Sequence, residues 1–398
     1  MAFVLAHLSD FHVSTFGDTM HDRTRIVRRS ANVADTSEHE WKEMWAEAGW
    51  RVLQRKNKLA IIDPDGYAHA PPARGDFPGV TDAIERAAAK ACRLEARRER
   101  TLASAIPSEG ALELLAEATP RNANVRLLRA MKYVHDASVD GVAITGDITD
   151  DGDGYELVLA AFEKWRALGT AFAVPGNHDR YLFPISGSTR PKPTRESKAA
   201  SWRAFAKALD LPLEANGAWA RPLPQANAML LGLDTCARPQ RRFFRHNGAV
   251  GAEQIAFARA VARRDEWRNA RHKIVLLHHH VVPLPHGVGR RAPSEIGMRL
   301  DDAQAAAETF DTIGATLVMH GHRHISEERQ PAGVSFRLLA APSLTLGCRS
   351  GDGPSFWRIE LGERVYASRV PVPIPAIDAD DSAEGNGEPE REEKDEDA

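Results

Sequence analysis

Cysteine is scarce: the 398-residue chain holds three, Cys92, Cys236 and Cys348, scattered and odd in number. That excludes a disulfide framework and a structural zinc site of the Cys-x-x-Cys kind, and it points to a reducing, intracellular compartment. Long apolar runs are absent as well. No stretch reaches the roughly 18–20 residues of a membrane span, and no basic segment followed by an apolar run opens the sequence, so membrane insertion and secretion are disfavoured and a cytoplasmic location is expected. Net charge is small, −3, but unevenly held. Residues 378–398 carry eleven acidic side chains against Arg391 and Lys394, a net of −9 that leaves +6 for the rest. Residues 376–398 therefore read as a disordered, solvated acidic tail on a body too weakly basic for a strong nucleic-acid footprint.

What is present is ample core material, 43% hydrophobic residues, in a chain longer than one average domain of ~150 residues. Short apolar runs at 3–8, 141–144, 171–174, 229–233, 273–277 and 315–319 read as buried strands. Helix-like stretches lie between them at 124–137, 155–168, 196–208, 252–269 and 301–313. This alternation predicts an α/β layered domain on a largely parallel sheet, closed by a meander of antiparallel strands at 345–346, 356–361 and 364–370. The stretch 17–121 breaks the alternation and reads as a mainly helical insertion or cap subdomain within a catalytic domain spanning 1–375. It offers a Trp-rich helix at 40–55, a hairpin turn at Asp63-Pro64-Asp65-Gly66 and a long helix at 81–101. Trp41, Trp45 and Trp50 fit a core stripe, and Arg93, Arg97, Arg98 and Arg100, interleaved with Glu95 and Glu99, fit a solvated helix face.

The chemistry-bearing residues sit where strands end. The first run closes in Ser9-Asp10-Phe11-His12, and strand alternation puts Asp10 and His12 on one side, where a carboxylate and an imidazole can grip one cation. The second closes in Gly146-Asp147-Ile148-Thr149-Asp150 and the third in Gly176-Asn177-His178-Asp179. Taken singly, each is also an ordinary turn, with Asn177 at positive φ and His178 as a helix cap. Two later runs end in His278-His279-His280 and in His320-Gly321-His322-Arg323-His324. Core histidines usually occur singly, so clusters after successive strands argue for metal ligation. Groups at the carboxyl ends of strands in an open α/β sheet share one crevice, so these clusters are expected to converge.

The set Asp10, His12, Asp147, Asn177, His278, His322 and His324 is too large for one four-coordinate ion and suits two, with a carboxylate such as Asp147 bridging them. Nitrogen and oxygen donors without thiolates favour Mn, Fe, Co or Zn over Ca or a structural Zn. Two such ions ~3.5–4 Å apart activate a shared water and clamp both oxygens of an in-line displacement, which suggests hydrolysis at phosphorus by a bridging hydroxide.

Asp10-Phe11-His12, Gly146-Asp147, Gly176-Asn177-His178-Asp179, His278-His279 and Gly321-His322-Arg323-His324 resemble, in order, the D-x-H, G-D, G-N-H-[DE], H and G-H-x-H motifs of calcineurin-like metallophosphoesterases. The resemblance covers roughly 1–16 and 122–370 and implies a four-layer sandwich of two mixed β-sheets flanked by helices. It further implies that Asp10, His12 and His324 bind one metal, that Asn177, His278 and His322 bind the other, and that Asp147 bridges them. His178 is then the catalytic histidine that contacts the phosphoryl oxygen or protonates the leaving alkoxide, since imidazole can accept and donate a proton at physiological pH. Asp150 stands where some relatives place an acid that orients this histidine; it fits a turn or helix cap equally.

Ile148-Thr149 follows Gly146-Asp147 where protein phosphatases of this superfamily have Arg-Gly, which argues against a protein phosphatase. The triple histidine leaves two frames; His278 directly follows the apolar run and is preferred, with His279 behind it. Arg323 fits either a substrate phosphate or solvent. The motif style is closest to bacterial class III cyclic-nucleotide and glycerophosphodiester phosphodiesterases, an impression that 248–254 shares. The expected substrate is a small phosphate ester, with nucleotides among the candidates. A nuclease, for which Arg241-Arg242-Phe243-Phe244-Arg245 offers a basic patch, and a non-catalytic scaffold of the same fold are the alternatives.

Overall fold

The five runs that precede the polar motifs are buried strands of two sheets, four of them interior and the third at an edge. The computed structural model describes residues 2–14, 42–47, 50–55, 58–62, 68–69, 110, 112–113, 116, 122–150, 152–182, 193–237, 247–282, 299–348 and 351–374. Its strands are numbered β1–β15 in chain order. In the first sheet β1 (Phe3–Leu8), β6 (Gly141–Thr145) and β7 (Ala171–Val174) pair in parallel, and every residue in them is buried. Burial on both faces explains apolar runs with no alternation. β14 (Ser355–Leu361) adds antiparallel to β1, and β15 (Val365–Pro371) to β14.

The second sheet has the order β12 (Glu327–Arg329), β13 (Arg337–Ala340), β11 (Leu317–His320), β10 (His272–Leu276), β9 (Ala228–Gly232), β8 (Trp219–Leu223). Its four inner strands are parallel, and both edges are antiparallel. Helices α1 (Ala123–Asp136), α2 (Tyr155–Ala161), α3 (Glu163–Ala167), α4 (Asn177–Arg180), α5 (Arg195–Ala208), α6 (Gly251–Val261), α7 (Asp265–Asn269) and α8 (Ala303–Thr312) complete an α/β sandwich of two mixed sheets flanked by helices, as expected. No helix among the described residues is long and apolar enough to cross a membrane.

Side-chain alternation in the second sheet divides the core. Leu230, Ile274, Leu276, Leu317 and Met319 join the β1, β6 and β7 residues in one cluster, while Met229, Leu231, Val275, Leu277 and Val318 pack with Ala258, Ala306 and Phe310 of α6 and α8. Two indoles fasten sheet to sheet. Trp219 Nε1 donates to Ala173 O at 2.9 Å and Trp357 Nε1 to Ala340 O at 2.8 Å.

Several expectations are corrected. Residues expected as a Trp-rich helix form two strands, β2 (Lys42–Glu47) and β3 (Trp50–Arg55), paired antiparallel with Trp45 opposite Val52 and Glu47 opposite Trp50. The four-residue spacing of Trp41 and Trp45 suits a helix turn, but four is also a multiple of two and suits a strand face equally. β4 (Lys58–Ile62) and β5 (Ala68–His69) extend this sheet and pair on either side of the expected 63–66 turn, which itself lies outside the described residues. Of the described residues of the insertion, 42–47, 50–55, 58–62 and 68–69 are strand, and 110, 112–113 and 116 are helical. The helix at 81–101 with its arginines, the 241–245 patch and the tail at 376–398 lie outside the described residues.

The helix expected at 155–168 breaks at Phe162, which turns its buried ring between Phe11 and Trp165 at centroid distances of 5.9 and 5.7 Å. The one expected at 252–269 breaks at 262–264, and the break lets buried Trp267 donate to Ile313 O at 2.8 Å. Residues 345–346 form a turn, not a strand, and the meander is made by β14 and β15. β8 escapes the pattern because Pro222 argues against a strand, yet its place at a sheet edge tolerates a residue without an N–H. β12 and β13 are short and were likewise not foreseen.

Trp219→Phe removes a buried donor that joins the sheets, and we expect about 1–3 kcal/mol of destabilisation in urea denaturation. An unchanged midpoint would show that the Trp219 bond adds nothing to what packing and Trp357 supply.

Candidate metal centre

The parallel strands of both sheets deliver their carboxyl ends to one place. Asp10 and His12 follow β1, Asp147 follows β6, Asn177 and His178 open α4 after β7, His278 follows β10, and His322 and His324 follow β11. Three groupings of ligand atoms result, each with all atoms within 4.8 Å of one another: Asp10, His12 and His324; Asp147, His278 and His322; and His12, Asp150 and His178.

In the first, His12 Nε2 lies 3.1 Å from His324 Nε2, which lies 3.3 Å from Asp10 Oδ1. In the second, His278 Nε2 lies 3.1 Å from His322 Nδ1, 3.3 Å from Asp147 Oδ2 and 2.9 Å from Asn177 Oδ1. Donors in a tetrahedral site with metal–nitrogen bonds of about 2.0–2.1 Å stand roughly 3.3 Å apart, so these spacings fit a cation in each cluster. Asp147 groups with the second cluster, and its carboxylate also senses Asp10 and His12 of the first.

Hydrogen bonds behind the donors choose which nitrogen is offered. His278 Nδ1 donates to Thr145 O at 2.7 Å, which leaves Nε2 for a ligand. Asp150 Oδ1 accepts from His12 Nδ1 and from His178 Nδ1, both at 2.7 Å, so one carboxylate oxygen orients a candidate ligand and the candidate catalytic histidine together. His279 Nδ1 is 2.7 Å from Thr235 Oγ1, and the ring packs 4.4 Å from that of His322, behind the cluster rather than in it. His280 and His320 share the sequence clusters but fall outside all three groupings, with their rings edge to face at a centroid distance of 5.3 Å. Burial pushes His320 down to about 4 and His280 well below its ordinary value, which favours neutral rings. Arg323 is buried rather than solvent-facing.

Electrostatics at the centre are set by desolvation against pairing. Burial pushes the Asp147 carboxyl up, but His278 and His178 outweigh it and hold it well below the usual range. Burial likewise acts against Asp150, and His12 and His178 hold it well below. For His12, burial favours the neutral ring, yet Asp150 raises the group to about 9; Asp147 does the same for His278, again to about 9.

The backbone is strained where the candidate ligands sit. Asp10, His12, Asp147, His322 and His324 have φ of 54, 51, 50, 72 and 48°, and they are five of the eight described non-glycine residues at positive φ. Such conformations cost of order 1–3 kcal/mol each and cluster at functional sites. Gly321 precedes His322, and a Cβ there would lie 1.8 Å from Ser9 Oγ and 2.4 Å from Asp10 Oδ2. Only glycine lets the β1 and β11 loops meet this closely.

Several supports carry no sequence signal. Ser343 Oγ donates to Asp10 O at 2.6 Å and Thr345 Oγ1 to Phe11 O at 2.7 Å, pinning the first motif from a distant turn. Asp179 accepts from the N–H groups of Ile148, Thr149 and Gly176 and from Tyr155 OH, tying the second motif to the third. Single Ser, Thr or Lys residues far along the chain cannot be told from any other without the fold.

A model of the calcineurin-like phosphoesterase family matches residues 122–326. Among solved structures, a dimetal phosphatase from Danio rerio is similar at TM-score 0.46 and 12% identity, covering 92% of this chain and 96% of that one. Purple acid phosphatase PPD1 from yellow lupin is similar at 0.42 and 11%, covering 64% of this chain and 48% of the lupin protein. Phosphopantetheinyl hydrolase from Mycobacterium tuberculosis follows at 0.32 and 13%, covering 53% and 84%. A search of curated proteins finds no match.

Because Asp150 and Asp147 raise His12 and His278 to about 9, above the ordinary imidazole value of about 6.5, their pairing stabilises the metal-free protein fully below that ordinary value and is lost as pH rises through about 9. The melting temperature of chelator-treated protein should therefore fall across that window. A flat profile would contradict the pairing.

Proposed function

Because the chain belongs to the calcineurin-like phosphoesterase family, and so is a metal-dependent hydrolase of phosphoric esters, we propose that it cleaves a small phosphodiester or phosphomonoester, with nucleotides among the candidates. The observation that best supports this reading is the meeting of two ligand clusters beside the His178–Asp150 pair. Asp10, His12 and His324 would hold one ion, Asn177, His278 and His322 the other, with Asp147 between them. The donors fit Mn, Fe or Zn. Bound there, such ions supply Lewis acidity at the phosphoryl oxygens and lower the pKa of a water.

The chain's own residues supply orientation and the proton. His178 Nδ1 donates to Asp150 Oδ1, and its Nε2 faces the centre 4.0 Å from Asp147 Oδ2. As the ester P–O bond breaks, Nε2 passes a proton to the leaving oxygen, a task worth about 10²–10⁴ in rate. The His178 N–H donates to Asp147 Oδ1 at 2.8 Å and keeps that carboxylate aimed.

A cavity of about 690 Å³, lined in part by Arg180, Trp202, Arg203, Asn216 and Asp234, is not lined by the candidate ligands or by His178. Arg180 lies three residues past Asn177 on α4 and pairs with Asp234 at 3.4 Å. The sparse cysteines, with Cys236 and Cys348 buried as free thiols, support a cytoplasmic setting.

The test compares bis(p-nitrophenyl) phosphate with p-nitrophenyl phosphate, using protein stripped of metal and reconstituted with Mn. Diester cleavage lost on stripping and in Asn177→Ala would support a phosphodiesterase, and monoester preference would support a phosphatase. Neither turned over by the Mn-loaded protein would favour a scaffold. In the same assay Asp150→Asn should lose roughly 10–100-fold in both activity and Mn affinity, since its carboxylate serves His12 and His178 together. An effect on activity alone would mean that His12 is held by its other contacts.

A further inference from the structure

Lys198 is a lysine where a lysine is costly. It lies at the end of the first turn of α5, is 2% exposed, and shares the helix's inner side with Trp202, one turn on, and with Phe205 and Ala206. Lysine is almost never fully buried, and an ammonium withdrawn from water carries a penalty of several kcal/mol that an apolar side chain in the same place would avoid. The ammonium does not end at random. Nζ donates to Asp150 O at 2.9 Å and to His178 O. These are the main-chain carbonyls of the two residues whose side chains bond each other through Oδ1 and Nδ1.

The contacts close a ring. It runs from the ammonium to the Asp150 carbonyl, out along the Asp150 side chain, across to the His178 ring, back to the His178 carbonyl and home to the ammonium. Asp150 and His178 belong to different loops, one after β6 and one opening α4 after β7, and α5 belongs to neither. A third element thus fixes the separation of the two backbones on which the carboxylate–imidazole distance depends. Room for the lysine stem comes from Gly152, at φ +87°, where a Cβ would lie 3.0 Å from Lys198 Cγ.

We infer that Lys198 is a positioning residue for proton transfer: its ammonium clamps the Asp150 and His178 carbonyls and so holds the His178 imidazole on the leaving-group oxygen. This rests on the reading of His178 as the proton donor. It is not among the candidate ligands, and its effect on His178 runs through the two carbonyls.

The experiment uses Mn-loaded full-length protein, Lys198→Met, His178→Ala and the double variant, each with two diesters. One leaving group, p-nitrophenolate, departs without a proton; the other, a simple alkoxide, needs one. His178→Ala should lower kcat far more for the alkyl ester than for the nitrophenyl ester. Lys198→Met should show the same selectivity, with a roughly 10–100-fold loss on the alkyl ester, little change in KM or bound Mn, and no further loss in the double variant. Equal loss on both esters, or losses that multiply with those of His178→Ala, would overturn the inference and leave Lys198 a packing residue. If His178→Ala shows no leaving-group dependence, the reading of His178 fails, and the role of Lys198 falls with it. Should Lys198→Met fail to fold, Lys198→Gln, which keeps two N–H donors without the charge, carries the same comparison against the unsubstituted protein, and the same leaving-group selectivity with a smaller loss is the expected result.

Discussion

Four carboxylates, Asp10, Asp147, Asp150 and Asp179, sit with at most 5% exposure within a few residues of the strand ends, and most of the structure around them serves to compensate that burial. An ion withdrawn from water is tolerable only with close partners of opposite charge or several hydrogen bonds. The molecule uses both. Asp179 takes three main-chain N–H groups and a phenol, which makes it a structural anchor whose carboxyl burial pushes up. The other three take imidazoles, and imidazoles are partners that can exchange a proton for a metal. The same pairing that keeps the metal-free protein folded thus prepares the site for its ions.

Strain and convergence have one origin here. Strands from two sheets must stop within a few ångströms of one another, so the loops that follow turn abruptly, and five candidate ligands adopt left-handed backbone. Tertiary bonds from Ser343 and Thr345 hold the first of these loops against its preference. A loop so constrained presents its side chains in few arrangements, and preorganisation of this kind is what a metal centre gains from it.

Much of this was legible beforehand. The buried strands are continuous apolar runs, and β1 and β7 have the bounds read from the sequence, because burial on both faces leaves a signal that polarity does not blur. The candidate ligands stand out because histidines and acids immediately after such runs have few structural reasons to be there. The hairpin of β2 and β3 was hidden because its tryptophan spacing is common to helix and strand, and β8 because a proline disguised an edge strand. Helix breaks at Phe162 and before Trp267 answer to packing partners distant in sequence, which no local pattern contains. Lys198 belongs to the same class: its meaning lies in whom it touches.

The first cluster joins His12 to His324, 312 residues later. A ribosome adding about 5–20 residues per second needs roughly 15–60 s to make the second after the first. Throughout that interval Asp10 and His12 exist without their partner, and β1 waits for β14 on its other edge. With these residues as the proposed ligands, metal capture would be a late event in the life of each molecule: an incomplete chain would lack a donor rather than merely bind less well, and the cell would be spared a hydrolase that works before it is finished.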